Sequence, residues 1–151
     1  MQQVTTYRFG HEEVVEVDDD QVFDFRPGLT GFDQYHRYAR LVDGESPIEW
    51  LQSLDHSNVC FTMMEPFLFY PNYGFELSDY DCQDLGVMQP QDALVRCLLT
   101  LHDSAEETTA NLMAPIVLSR NGGRGRQIVL QESHLPLRFF VFEAMRVPMA
   151  A

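Results

Sequence analysis

The sequence predicts an all-β, mainly antiparallel fold: a small closed or nearly closed β-barrel with one short helix, spanning residues 1–151 as a single domain. Three observations predict it. Short apolar or alternating segments rich in Val, Ile, Phe, Tyr and Thr recur along the chain, as half-buried strands require. Turn formers such as Gly10-His11, Asp18-Asp19-Asp20 and Pro27-Gly28 separate them at short intervals. No linker, repeat or low-complexity stretch divides the chain, and its length suits one core that buries roughly 70% of the unfolded surface.

Gln3 to Phe9 reads as the first strand, with Thr5, Tyr7 and Phe9 on one face, and Glu13 to Val17 as the second. Val22-Phe23-Asp24-Phe25 alternates apolar and polar positions, and Pro27, Gly28 and Gly31 then force a loop. Tyr35 to Val42 and Val59 to Met64 are further strands. Between them, Pro47 to Leu54 holds the only Trp of the chain, Trp50, among Ile48, Leu51 and Leu54. A large apolar side chain there anchors a core or an interface. Ser78 is placed to cap a short helix that ends at Gly86, with acid in its first turn. Ala93 to Leu101 suits a strand, although its periodicity alone also fits a helix. Ile116 to Ser119 and Gln127 to Leu130 are joined by Asn121-Gly122-Gly123-Arg124-Gly125, a hairpin signal. Leu137 to Phe142 is the last strand. The total is about eight or nine strands, a number typical of barrels and sandwiches.

Composition narrows the function. Twenty-three acidic residues against ten basic ones give a net charge of −13, and every basic residue is Arg. Such a field repels phosphate backbones, so direct binding to nucleic acid is not expected. It serves solubility, and it would also attract a basic protein surface. No apolar run approaches the roughly 20 residues of a membrane-spanning helix. The N-terminal Met1-Gln2-Gln3-Val4-Thr5-Thr6 lacks the basic and apolar regions of a secretory signal, so a cytoplasmic monomer is expected. Cys60, Cys82 and Cys97 are odd in number and widely spaced, which suits buried reduced thiols better than disulfides or zinc.

Little in the sequence points to catalysis. The five histidines, His11, His36, His56, His102 and His134, form no metal-binding pair, so no metal and no cofactor are expected. Asp55-His56-Ser57 contains the three residue types of a hydrolytic triad, but neighbours in sequence do not converge as that chemistry demands. The segment reads as a turn. The glycines and arginines of 121–126 lack the following helix and the Gly-Lys-Ser/Thr of a phosphate loop. They form the one locally basic spot, suited to an acidic patch on a partner. The loop Glu65-Pro66-Phe67-Leu68-Phe69-Tyr70-Pro71-Asn72-Tyr73 sets four aromatic residues between and beside two prolines. A contact surface and a cover for the core are both open for it, with Phe67 and Phe69 assigned inward and Tyr70 and Tyr73 outward.

Several motifs, in order along nearly the whole chain, resemble those of the flagellar assembly factor FliW family. Phe25-Arg26-Pro27-Gly28-Leu29-Thr30-Gly31-Phe32 resembles the family's F-x-x-G-L-P-G-F, with Thr30 in place of Pro. Pro47 to Leu54 is similar to P-x-x-W-L-Q-S-L. Phe61 to Tyr73 is similar to a strand followed by D-P-x-x-F-x-P-x-Y, with Glu65 in place of Asp. Asn111-Leu112-Met113-Ala114-Pro115-Ile116 resembles N-L-x-A-P-I, and Gln127 to Leu130 the strand after it. The resemblance implies a β-barrel-like cytoplasmic protein without enzymatic activity. Such a protein binds flagellin before export, and it binds the RNA-binding translational regulator CsrA and relieves repression of flagellin mRNA.

Within that frame, Glu65, Tyr70, Asn72, Tyr73, Glu76, Asp79 and Asp81 are the expected partner-binding residues, because acid and Tyr alternate there on a loop. Asn111 is expected to hold a turn. Trp50, Leu51 and Leu54 are expected to hold the barrel, while Gln52 and Ser53 satisfy the turn that follows. Two other classes stay in play: a chaperone that binds flagellin only, and a small barrel that binds or transforms a small molecule.

Overall fold

Seven strands close into a barrel in the computed structural model, which describes residues 1–121, 123–131 and 134–146. The ring begins with β3 (Val22–Phe25), β4 (Arg37–Leu41), β5 (Ile48–Ser53), β6 (Cys60–Met64) and β7 (Ala93–Thr100), an antiparallel series. The first half of β7 then pairs with β9 (Ile116–Ser119), and β9 with β10 (Arg124–Gln127), again antiparallel. β10 returns to β3 in parallel, with Arg124 opposite Asp24 and Gly125 opposite Phe25. Two short strands, β8 (Thr109–Ala110) and β11 (Phe139–Phe140), extend from the second half of β7. The hairpin of β1 (Gln2–Thr6) and β2 (Glu13–Val17) stands apart as its own sheet.

The interior is filled by Phe23, Phe25, Leu29, Tyr38, Leu51, Met63, Ile116 and Leu118. Alternation along each strand sends the neighbours of these residues outward, and most of the outer surface is covered too. Trp50 points outward beneath the β1–β2 hairpin, beside Val4, Val17, Ala39 and Leu41. The Phe9 ring meets Trp50 edge-on at 5.3 Å, and the Arg8 guanidinium lies 5.0 Å from the Trp50 ring centre. Leu51 faces inward, so the two residues bind different layers to the same strand. β5 is therefore covered on both faces. Gln52 and Ser53 do satisfy the next turn: Gln52 Nε2 donates to Ser57 O at 2.9 Å, and Ser53 Oγ accepts from the amides of Asp55 and His56. The Asp55 carboxylate, in the same turn, accepts from the amides of His36 and Arg37 and joins it to the start of β4.

Gly125 makes the parallel seam possible. A Cβ at that position would overlap the Phe25 ring, so any larger residue would force the two strands apart. This is why β10 starts at Arg124, three residues before the strand expected at Gln127 to Leu130; Gly122 of the connecting turn lies outside the described residues. Ile128 and Leu130 still hold the 113–115 segment through their amides. The first strand ends at Thr6 rather than Phe9, since Gly10 folds back to Tyr7 O. Ala93 to Leu101 resolves as a strand. Leu137 to Phe142 does not: after β11 the chain forms a helix, α2 (Val141–Arg146), the second besides α1 (Asp79–Leu85). Val141, Ala144 and Met145 lie at helical spacing and join the apolar cluster around Tyr73 and Leu112, which is the packing that favours helix over strand.

Glu49, on the same inward face of β5 as Leu51 and opposite Met63, is clamped by two arginines. Arg40 from β4 donates at 2.9 and 2.8 Å, and Arg96 from β7 donates at 2.8 and 3.3 Å. Burial alone would raise the Glu49 carboxyl, but the hydrogen bonds from Arg40 and Arg96 outweigh it and hold the pKa below the ordinary glutamate value. The depressed pKa stabilises the fold above about pH 4.3, and that contribution is lost as pH falls through the lower folded value.

Replacing Glu49 by Gln leaves two guanidiniums half-compensated, an expected loss of about 3 kcal/mol in urea unfolding at pH 7. The gap from the parent protein should narrow as the pH is taken below 4; an equal gap at both pH values would remove the clamp from the account. Gly125→Ala should destabilise by about 1–3 kcal/mol through overlap with Phe25, read by thermal melting with Trp50 fluorescence.

Candidate protein-binding face

The segment after β6 forms a lid on the outer side of β6 and β7. Pro66 to Leu68 makes one 3-10 turn, and the chain then folds back so that Tyr73 N donates to Tyr70 O at 2.9 Å. Phe69 stacks on Phe139 at 5.9 Å, and Tyr70 meets Phe139 edge-on at 5.3 Å. Tyr73 is buried, and its hydroxyl donates to Leu112 O at 2.6 Å. That bond ties the lid to the 111–116 turn, which Asn111 holds by accepting from Met113 N at 2.9 Å. Burial pushes both the Tyr73 phenol and the neighbouring Cys97 thiol up, the latter to about 12, so neither ionises at neutral pH.

Beyond the lid, α1 follows its sequence signals closely. Ser78 Oγ accepts from Asp81 N at 3.1 Å, and Gly86 closes the helix with φ at 73°, a left-handed position that Gly tolerates. Leu85 and Val87 bury against Val117 of the barrel wall. The side of α1 facing β10 is acidic and meets the arginines of the glycine-rich hairpin. Arg126 binds Asp81 at 3.0 Å and Asp84 at 2.8 Å, and Arg124 binds Asp84 at 3.3 Å. Burial disfavours the Arg126 charge, yet Asp84 and Asp81 more than restore it and raise its pKa. The basic spot of the sequence therefore meets an acidic patch on its own chain.

The seven expected contact residues separate accordingly. Glu76 and Asp79 are exposed acids, Asn72 is an exposed amide, and Glu65 and Tyr70 are half-buried. Tyr73 is a core residue, because its hydroxyl is needed at Leu112 O. Asp81 is engaged by Arg126 and half-buried. The inward and outward assignments of the lid also change: Phe69 is buried as expected, but Phe67 is 42% exposed. A 3-10 turn places Phe67 and Leu68 on the outside while directing Pro66 and Phe69 inward, and the alternation of the letters does not reveal that.

The structure adds a groove. An open cavity of about 500 Å³ runs between the lid and α1 over β7 and β9, with Phe75, Leu77, Val87, Val95 and Val117 among its walls. Phe67 and Met88 stand on its rim, and Met88 is 93% exposed. In the sequence Met88 carries one signal, a large apolar residue between the turn formers Gly86 and Pro90. Among the described residues no group of three His, Cys, Asp or Glu side chains is placed to hold a metal ion. No described helix is long and apolar enough to cross a membrane.

Comparison with known proteins places this architecture. The model of the FliW protein family matches residues 3–141. The flagellar assembly factor FliW of Treponema denticola is 34% identical over 119 residues, 79% of this chain and 81% of that protein. The same factor from Thermotoga neapolitana is 35% identical over 133 residues, 87% of this chain and 89% of that protein. A crystal structure of the flagellar assembly factor FliW superposes with a TM-score of 0.82 at 28% identity, covering 93% of this chain and 96% of that one. The barrel, the ordered motifs and these matches agree: the chain belongs to the FliW family of flagellar assembly factors.

Proposed function

We propose that this protein is a non-enzymatic, cytoplasmic partner-switch regulator. It binds flagellin before export, and it binds a CsrA-type translational regulator and relieves repression of flagellin mRNA. The observation that carries this reading, beyond family membership, is where the charge lies. Arg8, Arg26, Arg40, Arg96, Arg124 and Arg126 are all paired with acids of the same chain. The surplus acid therefore faces solvent, and Glu76 and Asp79 sit together at the exposed start of α1. A protein that binds RNA presents basic surface, and such a field attracts it and orients the encounter. Glu65, Tyr70, Asn72, Glu76 and Asp79 form the proposed contact patch. Asp81 and Tyr73 support it from beneath, through Arg126 and Leu112. If flagellin and CsrA exclude one another, free flagellin controls the free concentration of the factor by mass action.

Reversing both exposed acids, Glu76→Arg with Asp79→Arg, should weaken CsrA binding on the order of tenfold at low salt and less at high salt. Calorimetry at two ionic strengths reads this; unchanged affinity would remove the patch. If the parent protein retains flagellin but not CsrA at micromolar concentration, the flagellin-only chaperone reading replaces this one. Tyr73→Phe should lower stability by about 1 kcal/mol while leaving CsrA affinity as it was, since the lost hydrogen bond is buried beneath the patch and its hydroxyl does not reach the partner.

A further inference from the structure

The β1–β2 hairpin carries an open backbone edge. It is a sheet of two strands only, and among the described residues the backbone of β2 is hydrogen-bonded to β1 alone. The alternate N–H and C=O groups of Glu13–Val17 that point away from β1 therefore have no strand beside them, and such an edge is a template for another chain. Alternation along β2 sends Val15 and Val17 toward the barrel and leaves Glu16 and Val14, the latter 59% exposed, toward solvent. Between this strand and the end of β4 lies a cleft of about 190 Å³, with Val15, Val17, Leu41 and Val42 among its walls. The charge along the edge is of one sign. Six of the residues from 12 to 20 are acidic and none is basic. Arg8 is spent on Glu13, and Arg40, the other cation lining the cleft, is held by Glu49. Glu12, Glu16 and Asp18 are exposed and, among the described residues, lie within ion-pair distance of no cation.

We propose that the free edge of β2 receives a strand of a partner protein in which apolar and basic residues alternate. Backbone hydrogen bonds to β2 hold the strand, and its alternate side chains fix which strand is taken. Apolar side chains on one face enter the cleft over Leu41 and Val42. Basic side chains on the other face lie beside Glu16 and reach the acids that flank it. Charge complementarity selects this occupant over a second copy, because two such edges brought together set like charges opposite one another. The site shares no residue with the Glu76 and Asp79 patch and goes beyond the function proposed for it.

The test uses the intact protein and two labelled synthetic peptides, one alternating Val with Lys and the other alternating Val with Glu. Fluorescence anisotropy should show saturable binding of the Lys peptide, favoured over the Glu peptide about fivefold, the scale of two exposed ion pairs. Glu16→Lys combined with Asp18→Lys, both at exposed positions, should invert that preference. Hydrogen exchange read by mass spectrometry should slow in β2 when the Lys peptide is bound and stay as it was in α1. Absence of saturable binding, a preference for the Glu peptide by the parent protein, or a preference unmoved by the double reversal would overturn the proposal. Binding that leaves exchange in β2 unchanged would do the same, since charge attraction without strand pairing protects no amide. So would protection of β2 that grows with the concentration of the protein alone, because a second copy would then hold the edge.

Discussion

The barrel closes where β10 lies parallel to β3, and the seam holds only because Gly125 has no side chain to meet the Phe25 ring. Every other pairing in the ring is antiparallel and joins strands consecutive around the ring, through short turns or through longer connections such as the lid and α1 between β6 and β7 and the 101–115 segment between β7 and β9. The seam must instead bring together residues about a hundred positions apart in sequence, at a loop-closure cost that grows only slowly with length. Once it forms, the interior of Phe23, Phe25, Tyr38 and Leu51 is sealed and the outer faces of the strands become surfaces to be covered. The seam also sets the position of Arg126. With Gly125 opposite Phe25, the next residue of β10 faces α1, where Asp81 and Asp84 receive it.

The exterior is then divided among three covers. The β1–β2 hairpin rests on Trp50, the aromatic lid and α2 rest on the outer side of β6 and β7, and α1 rests on β9. What remains between the lid and α1 is the open groove, with Glu76 and Asp79 beside it. The proposed contact patch and the scaffold thus share the same elements. Arg40, Arg96 and Arg126 each hold acids within the fold, and this internal pairing is what leaves the surface acidic. The same carboxylates that stabilise the protein at neutral pH leave it sensitive to acid.

Much of this was legible in the letters because its causes are local. Ser78 and Gly86 marked the ends of α1 to the residue, and the alternation of Val22 to Phe25 marked β3. Asn111 holds its turn through its own side chain, and the ordered motifs mark the family. The misreadings have a common cause. Val141, Ala144 and Met145 are equally compatible with strand or helix until the cluster around Tyr73 gives them a face to cover. Tyr73 looked like a contact residue because Tyr is amphipathic; the carbonyl that claims its hydroxyl belongs to Leu112, far along the chain. Asp81 reads in the sequence as a partner-binding acid because Arg126, which engages it, comes from a hairpin that the sequence shows only as a glycine-rich turn.

By itself the sequence determined the β class, the helix caps, the turns, the acidic balance and the family, since each depends on residues within a few positions or on composition alone. Only the tertiary structure decided which acids are free and which are paired, which aromatics are core and which are rim, and that a groove exists. Those are properties of side chains brought together from distant strands, and no local pattern of letters records which of them will meet.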